Sequence, residues 1–100
     1  MMMKLLMTWD IRPGKESAYF DFVSKELVPG LMRLGIQPTE AWYTIYGDAP
    51  QILAGWVADD LATMQAALAS EEWRRLRRRL MKYVINFKHK IVPATGFFQL

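Results

Sequence analysis

Hydrophobic residues along the chain form six periodic runs, and turn residues separate one run from the next. Residues 2–9 make a compact apolar run, while 39–46 and 51–58 are rich in aromatic and β-branched residues around a turn at 47–50. These compositions are typical of strands, the last two forming a hairpin. Apolar and polar residues alternate over 83–92, which predicts a fourth strand with one exposed face.

The first of two helical patterns spans residues 15–34. Pro29 and Gly30 fall inside this pattern, and proline breaks or kinks a helix, so we expect a main helix to about residue 28 and a short continuation. Gly35 is expected to end it. The predicted apolar face recurs at spacings of three and four and contains Phe20, Val23, Leu27, Leu31 and Leu34.

The second helical pattern follows the hairpin. Asp59 or Asp60 is a good N-cap for a helix whose apolar positions continue to residue 82. Ser70, followed by Glu72 and Trp73, predicts a local restart of that helix, with a bend.

The order strand, helix, strand, strand, helix, strand predicts an α+β domain of the ferredoxin-like kind, βαββαβ, over residues 1–100. Each helix joins two parallel strands of an antiparallel four-stranded sheet, and right-handed crossovers place both helices on one face. The other face then has no cover from the chain itself. A bare apolar face predicts a homodimer.

Composition supports this prediction and limits the chemistry. The chain is 52% hydrophobic and 13% aromatic, which is rich for 100 residues, and a second copy would cover the surplus. The chain has no cysteine, which excludes disulfides, cysteine metal sites and a cysteine nucleophile. The apolar N-terminal residues are too few for a signal peptide, and no run is long enough for a membrane span. We therefore expect a cytoplasmic protein.

Several segments resemble the dimeric α+β barrel superfamily, which includes NIPSNAP-like, EthD-like, antibiotic-biosynthesis monooxygenase and muconolactone isomerase proteins. The resemblance covers nearly the whole chain. It is carried by five segments: Thr8-Trp9-Asp10-Ile11-Arg12 before Pro13-Gly14, an aromatic-rich helix, the hairpin 41–57, Glu71-Glu72-Trp73, and Ile91-Val92-Pro93.

The resemblance implies two sheets packed face to face across a dimer and a small pocket in each subunit between sheet and helices. Members of the superfamily include cofactor-free oxygenases, isomerases, haem-binding enzymes and proteins without known activity. The expected function is therefore the binding or conversion of a small apolar or aromatic molecule, without a cofactor. A non-catalytic dimeric structural or regulatory module is the alternative.

His89 is the candidate catalytic residue, because its pKa lies near physiological pH and it lies on the apolar face of the last strand. It could act as a base or acid, or as an axial haem ligand; the alternative is a packed or partly exposed strand histidine. Haem-degrading members use an Asn, a Trp and a His together. Asn86, Trp73 and His89 do not match the family's positions for that set, and Asn86 and His89 have opposite strand parity. One histidine and scattered carboxylates do not predict a metal site.

Aromatic residues are the candidate pocket lining, since flat apolar ligands pack well against them. The candidates are Trp9, Trp42, Tyr46, Trp56 and Phe87. Trp42 and Tyr46 share strand parity and could form one wall together. The alternative is that these side chains fill the core and the dimer interface.

Charged residues give two further candidates. Asp10 and Arg12 end the first strand near the expected pocket mouth, where Arg12 could hold an anionic group; the alternative is an ordinary turn ion pair. Net charge is +3, but residues 71–100 alone carry eight Lys/Arg and two Asp/Glu. Five arginines in Arg74–Arg79 could attract nucleic acid, but we expect them to form the solvated face of a helix or to flank a pocket for acidic ligands.

Overall fold

A computed structural model describes residues 1–44 and 50–94, and it contains four strands and five helical segments. The strands are β1 (Met3–Ile11), β2 (Gln37–Tyr43), β3 (Ile52–Ala58) and β4 (Val84–Pro93). The helical segments are α1 (Glu16–Phe22), a π-helical segment (Val23–Leu27), α2 (Val28–Arg33), α3 (Leu61–Leu68) and α4 (Glu71–Leu80).

The four strands form one antiparallel sheet in the order β2-β3-β1-β4. Met7 at the centre of β1 lies between Ala54 of β3 and His89 of β4. The first helical stretch, made of α1, the π-helical segment and α2, joins β1 to β2. These two strands are parallel but are not neighbours, because β3 lies between them. The predicted ferredoxin-like α+β fold is confirmed.

The alternating burial along β1 distinguishes the two faces of the sheet, which we call the helix side and the open side. Leu5, Met7 and Trp9 are buried, while the residues between them are only partly buried. The buried side chains of all four α-helices and of the π-helical segment belong to the same core as these strand residues. Both helical stretches therefore lie on one face of the sheet, as predicted.

The first helical stretch has the predicted short continuation beyond residue 28, and at Pro29 the helix is distorted rather than broken. It continues through the π-helical segment, in which the Val28 N–H donates to the Val23 carbonyl five residues earlier. Pro29 has no N–H to donate to the carbonyl four residues earlier, and its ring crowds that carbonyl. One widened turn accommodates the proline without ending the helix. Gly35 ends the stretch with a φ of +89°, as predicted.

The widened turn also explains an error in the predicted apolar face. Phe20 is 49% exposed, whereas its neighbours Tyr19 and Phe22 are buried. A π-helical turn inserts one residue into the α-helical spacing, so a stripe traced through the whole stretch at three- and four-residue steps loses register. Leu27, at the end of the π-helical segment, and Leu31, in α2, are buried as predicted.

The second helical stretch, made of α3 and α4, has the predicted N-caps. The Asp60 side chain accepts a 2.7 Å hydrogen bond from the Thr63 N–H at the start of α3. The Ser70 hydroxyl accepts a 3.1 Å bond from the Trp73 N–H at the start of α4. Each cap satisfies a backbone donor that a helix leaves free in its first turn.

A bulge in β4 corrects the predicted alternation of that strand. The register between β1 and β4 shifts between Thr8 and Asp10, and Asn86 has a φ of +60°. The strict alternation predicted over 83–92 would place Ile85 on the same face as Phe87 and His89. It pairs instead with Asp10 and is 37% exposed on the open side, because an extra residue reverses strand parity at the bulge.

The open side of the sheet carries no helix within the described residues. Trp42 is 65% exposed there, and Leu53 beside it is 36% exposed. Lys4 and Glu40 form a 2.7 Å ion pair that crosses the same face over Gly55. This face therefore combines apolar side chains with the Lys4–Glu40 pair and with the exposed Lys88 and Lys90 of β4. No helix of the described residues is long and apolar enough to cross a membrane.

Candidate functional site

A cavity of about 310 Å³ lies between the first helical stretch and strands β2 and β3. Its aromatic wall is formed by Trp9, Tyr19 and Trp56, each at most 3% exposed. Its volume is at the lower end of the range typical of small-molecule sites. Aliphatic and polar side chains complete the lining: Val23, Leu27, Val28, Ile52, Ala54, Pro38, Thr39 and Glu40.

Two local features of the sequence create this space. The π-helical segment and the residue after it contribute Val23, Leu27 and Val28, so the widened turn forms one wall. Strand β3 places small Ala54 between two larger side chains on its helix side. A widened helix opposite a small strand residue leaves room that a regular helix and a larger side chain would fill.

Tyr19 provides a neutral hydroxyl in the cavity wall. The Trp9 indole Nε1 donates a 2.9 Å hydrogen bond to the Tyr19 oxygen. Burial raises the pKa of Tyr19 to about 12, and the bond from Trp9 offsets part of that rise. The phenol therefore stays protonated at physiological pH. In the hydrogen bonds of the described residues the Tyr19 hydroxyl takes part as an acceptor and not as a donor.

Trp56 is the second polar group in the wall. Its indole Nε1 is sealed from solvent and has no hydrogen-bond partner within the described residues. A buried donor without an acceptor costs about 1–3 kcal/mol, so such groups are rare in folded proteins. Since no atom of the size of water reaches this nitrogen, it is packed within the protein and does not face the open space of the cavity, so Trp56 offers no donor to a molecule bound there.

Glu40 lies at the edge of the cavity and is already bound. Its carboxylate accepts from Lys4 Nζ at 2.7 Å and from the Thr39 hydroxyl at 2.8 Å. The hydrogen bond from Lys4, followed by the one from Thr39, lowers the pKa of Glu40 below its ordinary value. The group is therefore ionised at neutral pH and is a weak base.

His89 does not line this cavity. It is exposed on the helix side of the edge strand β4, and its ring lies 5.7 Å from that of Phe87. Phe87 in turn stacks on Trp9 at 6.0 Å with an interplanar angle of 9°. His89 is thus separated from the cavity by two aromatic rings. The geometry does not support a reaction in this cavity with His89 as the acting group.

The other predicted site residues divide between the cavity and the surface. Trp9 and Trp56 line the cavity, whereas Trp42 lies exposed on the open side. Phe87 packs behind Trp9. Tyr46 lies outside the described residues, and so does its predicted wall with Trp42.

Asp10 and Arg12 do not meet at a pocket mouth. Arg12 donates from Nε and Nη2 to the Met81 carbonyl, at 3.2 and 3.1 Å, which fastens β1 to the end of α4. Asp10 accepts from the Gln51 N–H at 2.8 Å and from Asn86 at 2.9 Å. Both residues thus have structural partners, and neither lines the cavity.

Asn86, Trp73 and His89 are not brought together as a haem-degrading set. Trp73 is a buried residue of α4, the Asn86 amide donates to Asp10 at the bulge, and His89 is exposed. Within the described residues no three His, Cys, Asp or Glu side chains are grouped so as to hold a metal ion.

Most arginines of α4 form ion pairs. Arg74 binds Glu71 at 3.0 Å, Arg75 binds Glu72 at 2.8 Å, and Arg79 binds Glu26 on the π-helical segment. Arg77 lies over the ring of Phe87, 5.2 Å from its centre. The exposed face of α4 is therefore basic, and ion pairs connect it to neighbouring residues. The expectation that this face does not bind nucleic acid stays a prediction.

Sequence reasoning did not name four lining residues of the first helical stretch as pocket candidates, although two of them were on its predicted apolar face: Tyr19, Val23, Leu27 and Val28. Pro29 was the available signal, because proline disrupts the hydrogen bonds of the helical turn before it, and a distorted turn inside a helix is where a π-helical segment can occur. Such turns are frequent at functional sites. The pairing of Trp9 with Tyr19 depends on how the helix packs on the sheet, and no local pattern reports it.

Comparison with known proteins identifies the fold. No protein-family model matches the chain, and no curated protein matches it either. A NIPSNAP family protein from Agrobacterium tumefaciens is 20% identical, with a TM-score of 0.73 over 97% of this chain and 96% of its own.

Two further solved structures have the same fold. An EthD family protein from Bacillus halodurans is 16% identical, with a TM-score of 0.72 over 95% of this chain and all of its own. A candidate antibiotic biosynthesis monooxygenase from Bacteroides thetaiotaomicron is 18% identical, with a TM-score of 0.64 over 97% and 90% of the two chains. At the level of fold, the predicted superfamily resemblance is confirmed.

Proposed function

We propose that this protein is a homodimer in which each chain binds one small apolar or aromatic molecule in the cavity between the sheet and the first helical stretch. The single observation that carries the proposal is the cavity of about 310 Å³ walled by Trp9, Tyr19 and Trp56. Aromatic walls with a few polar groups are characteristic of small-molecule sites.

The dimer in this proposal is formed through the open side of the sheet. Trp42 and Leu53 lie exposed there, next to the Lys4–Glu40 ion pair. Burial of such apolar side chains favours association, and two copies of one face satisfy the symmetry of a dimer. Light scattering during size exclusion should give twice the chain mass, and Trp42→Lys should shift it toward the monomer. A wild-type monomer at micromolar concentration would exclude this part.

The chemistry in the proposal is cofactor-free oxygenation or isomerisation, in the cytoplasm. The solved structures that share the fold include a candidate monooxygenase, which supports this choice only by analogy. Tyr19 could donate a hydrogen bond to a developing oxyanion, since its pKa of about 12 keeps the phenol protonated. The chain has no cysteine, which is compatible with a reducing compartment.

A non-catalytic dimeric module is the second candidate. Glu40 supports it, because this lining carboxylate is bound by Lys4 and is a weak base. His89, which could serve as a base, lies outside the cavity. Mass spectrometry of bound aromatic compounds after incubation in air separates the candidates. Oxygen incorporation or rearrangement indicates an enzyme, and unchanged compounds indicate a binding module.

The test of binding uses N-phenyl-1-naphthylamine, an uncharged dye that fluoresces in apolar surroundings. We expect saturable binding of one dye per chain, which Ala54→Phe should abolish, because the new ring fills the cavity. Ala66→Phe on the exposed face of α3 is the matched control and should bind as the wild type does. Equal binding by both variants would place the dye elsewhere and contradict the proposal.

A further inference from the structure

We propose that the cavity is a channel closed at β1 and open over the edge strand β2, and that its ligand is amphipathic. The apolar end of the ligand, a small ring system or short chain, lies inside the channel, and its polar end projects past β2 into water. This inference rests on the proposed function and defines its ligand class. It follows from the register of three strands, the burial of the lining residues and the chemistry of the closed end.

The floor of the channel is a cross-strand pair of alanines. Ala41 of β2 pairs with Ala54 of β3, and both residues line the cavity. Along β3 the next side chains on the helix side are Ile52 and Trp56, and both are much larger. Paired residues on neighbouring strands lie about 5 Å apart, so two small side chains between larger ones leave a trough that runs across the strands.

The trough ends at β1. There Met7, a long buried side chain, is the partner of Ala54 on the side away from β2. Next to it on the helix side, Trp9 lines the cavity and donates its 2.9 Å hydrogen bond to Tyr19 on α1. Strand and helix are therefore joined at this point, and this end of the channel is closed.

The opposite end is open to solvent, and we call it the mouth. Pro38 and Ala41 lie on the helix side of β2, because their partners Trp56 and Ala54 face the helices. Both Pro38 and Ala41 are nevertheless exposed, whereas Ala54, one strand further in, is only 7% exposed. The helices therefore leave the helix side of β2 uncovered, and β2 is an edge strand of the described sheet.

The chemistry of the two ends sets the orientation of the ligand. Near the closed end, Trp9, Leu27 and Ile52 contribute buried aromatic and aliphatic surface. A strongly hydrated group placed there would lose its water, and the lining contains no lysine, arginine or histidine to pair with an anion. At the mouth the same group keeps its hydration. The polar end of the ligand therefore points outward.

The dimensions limit the apolar end. The distance from β1 to β2 is two strand spacings, about 10 Å, which suits two fused rings. The mouth also lies away from the face proposed for the dimer, since Ala41 is on the helix side and Trp42 is on the open side. Dimerisation through the open side therefore requires no part of the mouth.

The test compares two uncharged probes that share a naphthalene ring. One is 2-naphthol with a triethylene glycol chain on its oxygen, and the other is 2,6-dihydroxynaphthalene with the same chain on both oxygens. Displacement of N-phenyl-1-naphthylamine from the full chain measures the affinity of each probe. We expect the one-chain probe to bind at least about tenfold more tightly, because the second hydrated chain would have to enter the closed end.

Two variants of β2 locate the mouth. Ala41→Phe places a ring over the open end and should weaken the one-chain probe by about threefold or more. Position 41 is exposed and aromatic residues are favourable in strands, so this variant should fold. Gln37→Phe is the matched control, because Gln37 pairs with Val57 and lies on the open side of the same strand. It should bind the probe as the wild type does.

The outcomes separate this inference from the proposed function. Equal affinities of the two probes, or an unchanged affinity of the one-chain probe in Ala41→Phe, would overturn the one-ended channel while binding of the dye still supports the proposed function. The same holds if the dye binds and the one-chain probe does not displace it up to its solubility limit. If neither the dye nor either probe binds, both the inference and the proposed function are overturned.

Discussion

The indole nitrogen of Trp9 on β1 donates a 2.9 Å hydrogen bond to the hydroxyl of Tyr19 on α1. Both side chains are at most 3% exposed, and both line the cavity. One bond therefore joins the central strand to the first helical stretch and also fixes the aromatic wall of the site. The fold and the candidate site depend on the same contact.

Tyr19→Phe should lower the free energy of unfolding by about 2 kcal/mol, because it leaves the buried Trp9 donor without an acceptor. Urea unfolding at neutral pH measures the change. Tyr43→Phe is the matched control: its hydroxyl is accepting from Gln51 at 3.2 Å on an exposed side chain, and its loss should cost at most about 0.5 kcal/mol. Equal effects of the two variants would show that the Trp9 bond does not stabilise the fold.

Asp10 should make the free energy of unfolding depend on pH in the acidic range. The hydrogen bond from Asn86, and then the one from the Gln51 N–H, lower the pKa of Asp10 below its ordinary value of 3.8. A carboxyl whose pKa is lowered by folding stabilises the fold above its unfolded pKa, and this contribution is lost as pH falls through the folded pKa.

Asp10→Asn is therefore expected to be less stable than the wild type at neutral pH and to approach it in acid. Urea unfolding at a series of pH values from about 7 to about 2 measures this difference. Asp59→Asn controls for replacing a surface carboxylate by an amide, since no hydrogen bond or ion pair of the described residues involves Asp59. A gap for Asp10→Asn that stays constant with pH would refute the assigned role.

Asn86 combines a backbone role with a side-chain role, and two substitutions separate them. Its φ of +60° favours glycine over alanine, and its amide donates to Asp10 at 2.9 Å. Both Asn86→Gly and Asn86→Ala remove the hydrogen bond, but only alanine is strained at this φ. Asn86→Ala should therefore be less stable than Asn86→Gly by about 1 kcal/mol in urea unfolding. Equal stabilities would mean that the bulge relaxes.

Gly30 allows α2 to approach α4 closely. A Cβ at this position would lie 2.6 Å from Leu76 Cδ1, inside the packed core. Alanine normally stabilises a helix interior relative to glycine by about 1 kcal/mol. Here we expect Gly30→Ala to lower the free energy of unfolding by about 1 kcal/mol instead, because the overlap with Leu76 exceeds that gain.

A double-mutant cycle checks that Leu76 is the cause of this loss. Leu76→Val shortens the side chain, so the double variant should be more stable than the sum of the two single effects predicts, by about 1 kcal/mol. Additive effects would place the strain elsewhere.

Much of the fold could be predicted from the sequence because its signals are local. The alternation along β1 reflects one buried face, and Asp60 and Ser70 cap helices through their own neighbouring N–H groups. The order of the six elements then leaves few topologies, since crossovers are right-handed. These features depend on residues close together in the chain.

The remaining features depend on packing between distant residues. The π-helical segment follows from Pro29, but the sequence pattern alone did not distinguish a widened turn from a break. The bulge at Asn86 depends on how β4 pairs with β1. Trp9 and Trp56, which the sequence suggested as pocket residues, line the cavity, while Tyr19 was missed because its partner lies on another element.

The most direct test of the central claim is a crystal structure of the full chain with N-phenyl-1-naphthylamine. The account predicts electron density for one dye per chain, in contact with Trp9, Trp56 and Val23. Density confined to the open side of the sheet beside Trp42, or an empty cavity in crystals grown at saturating dye, would contradict it.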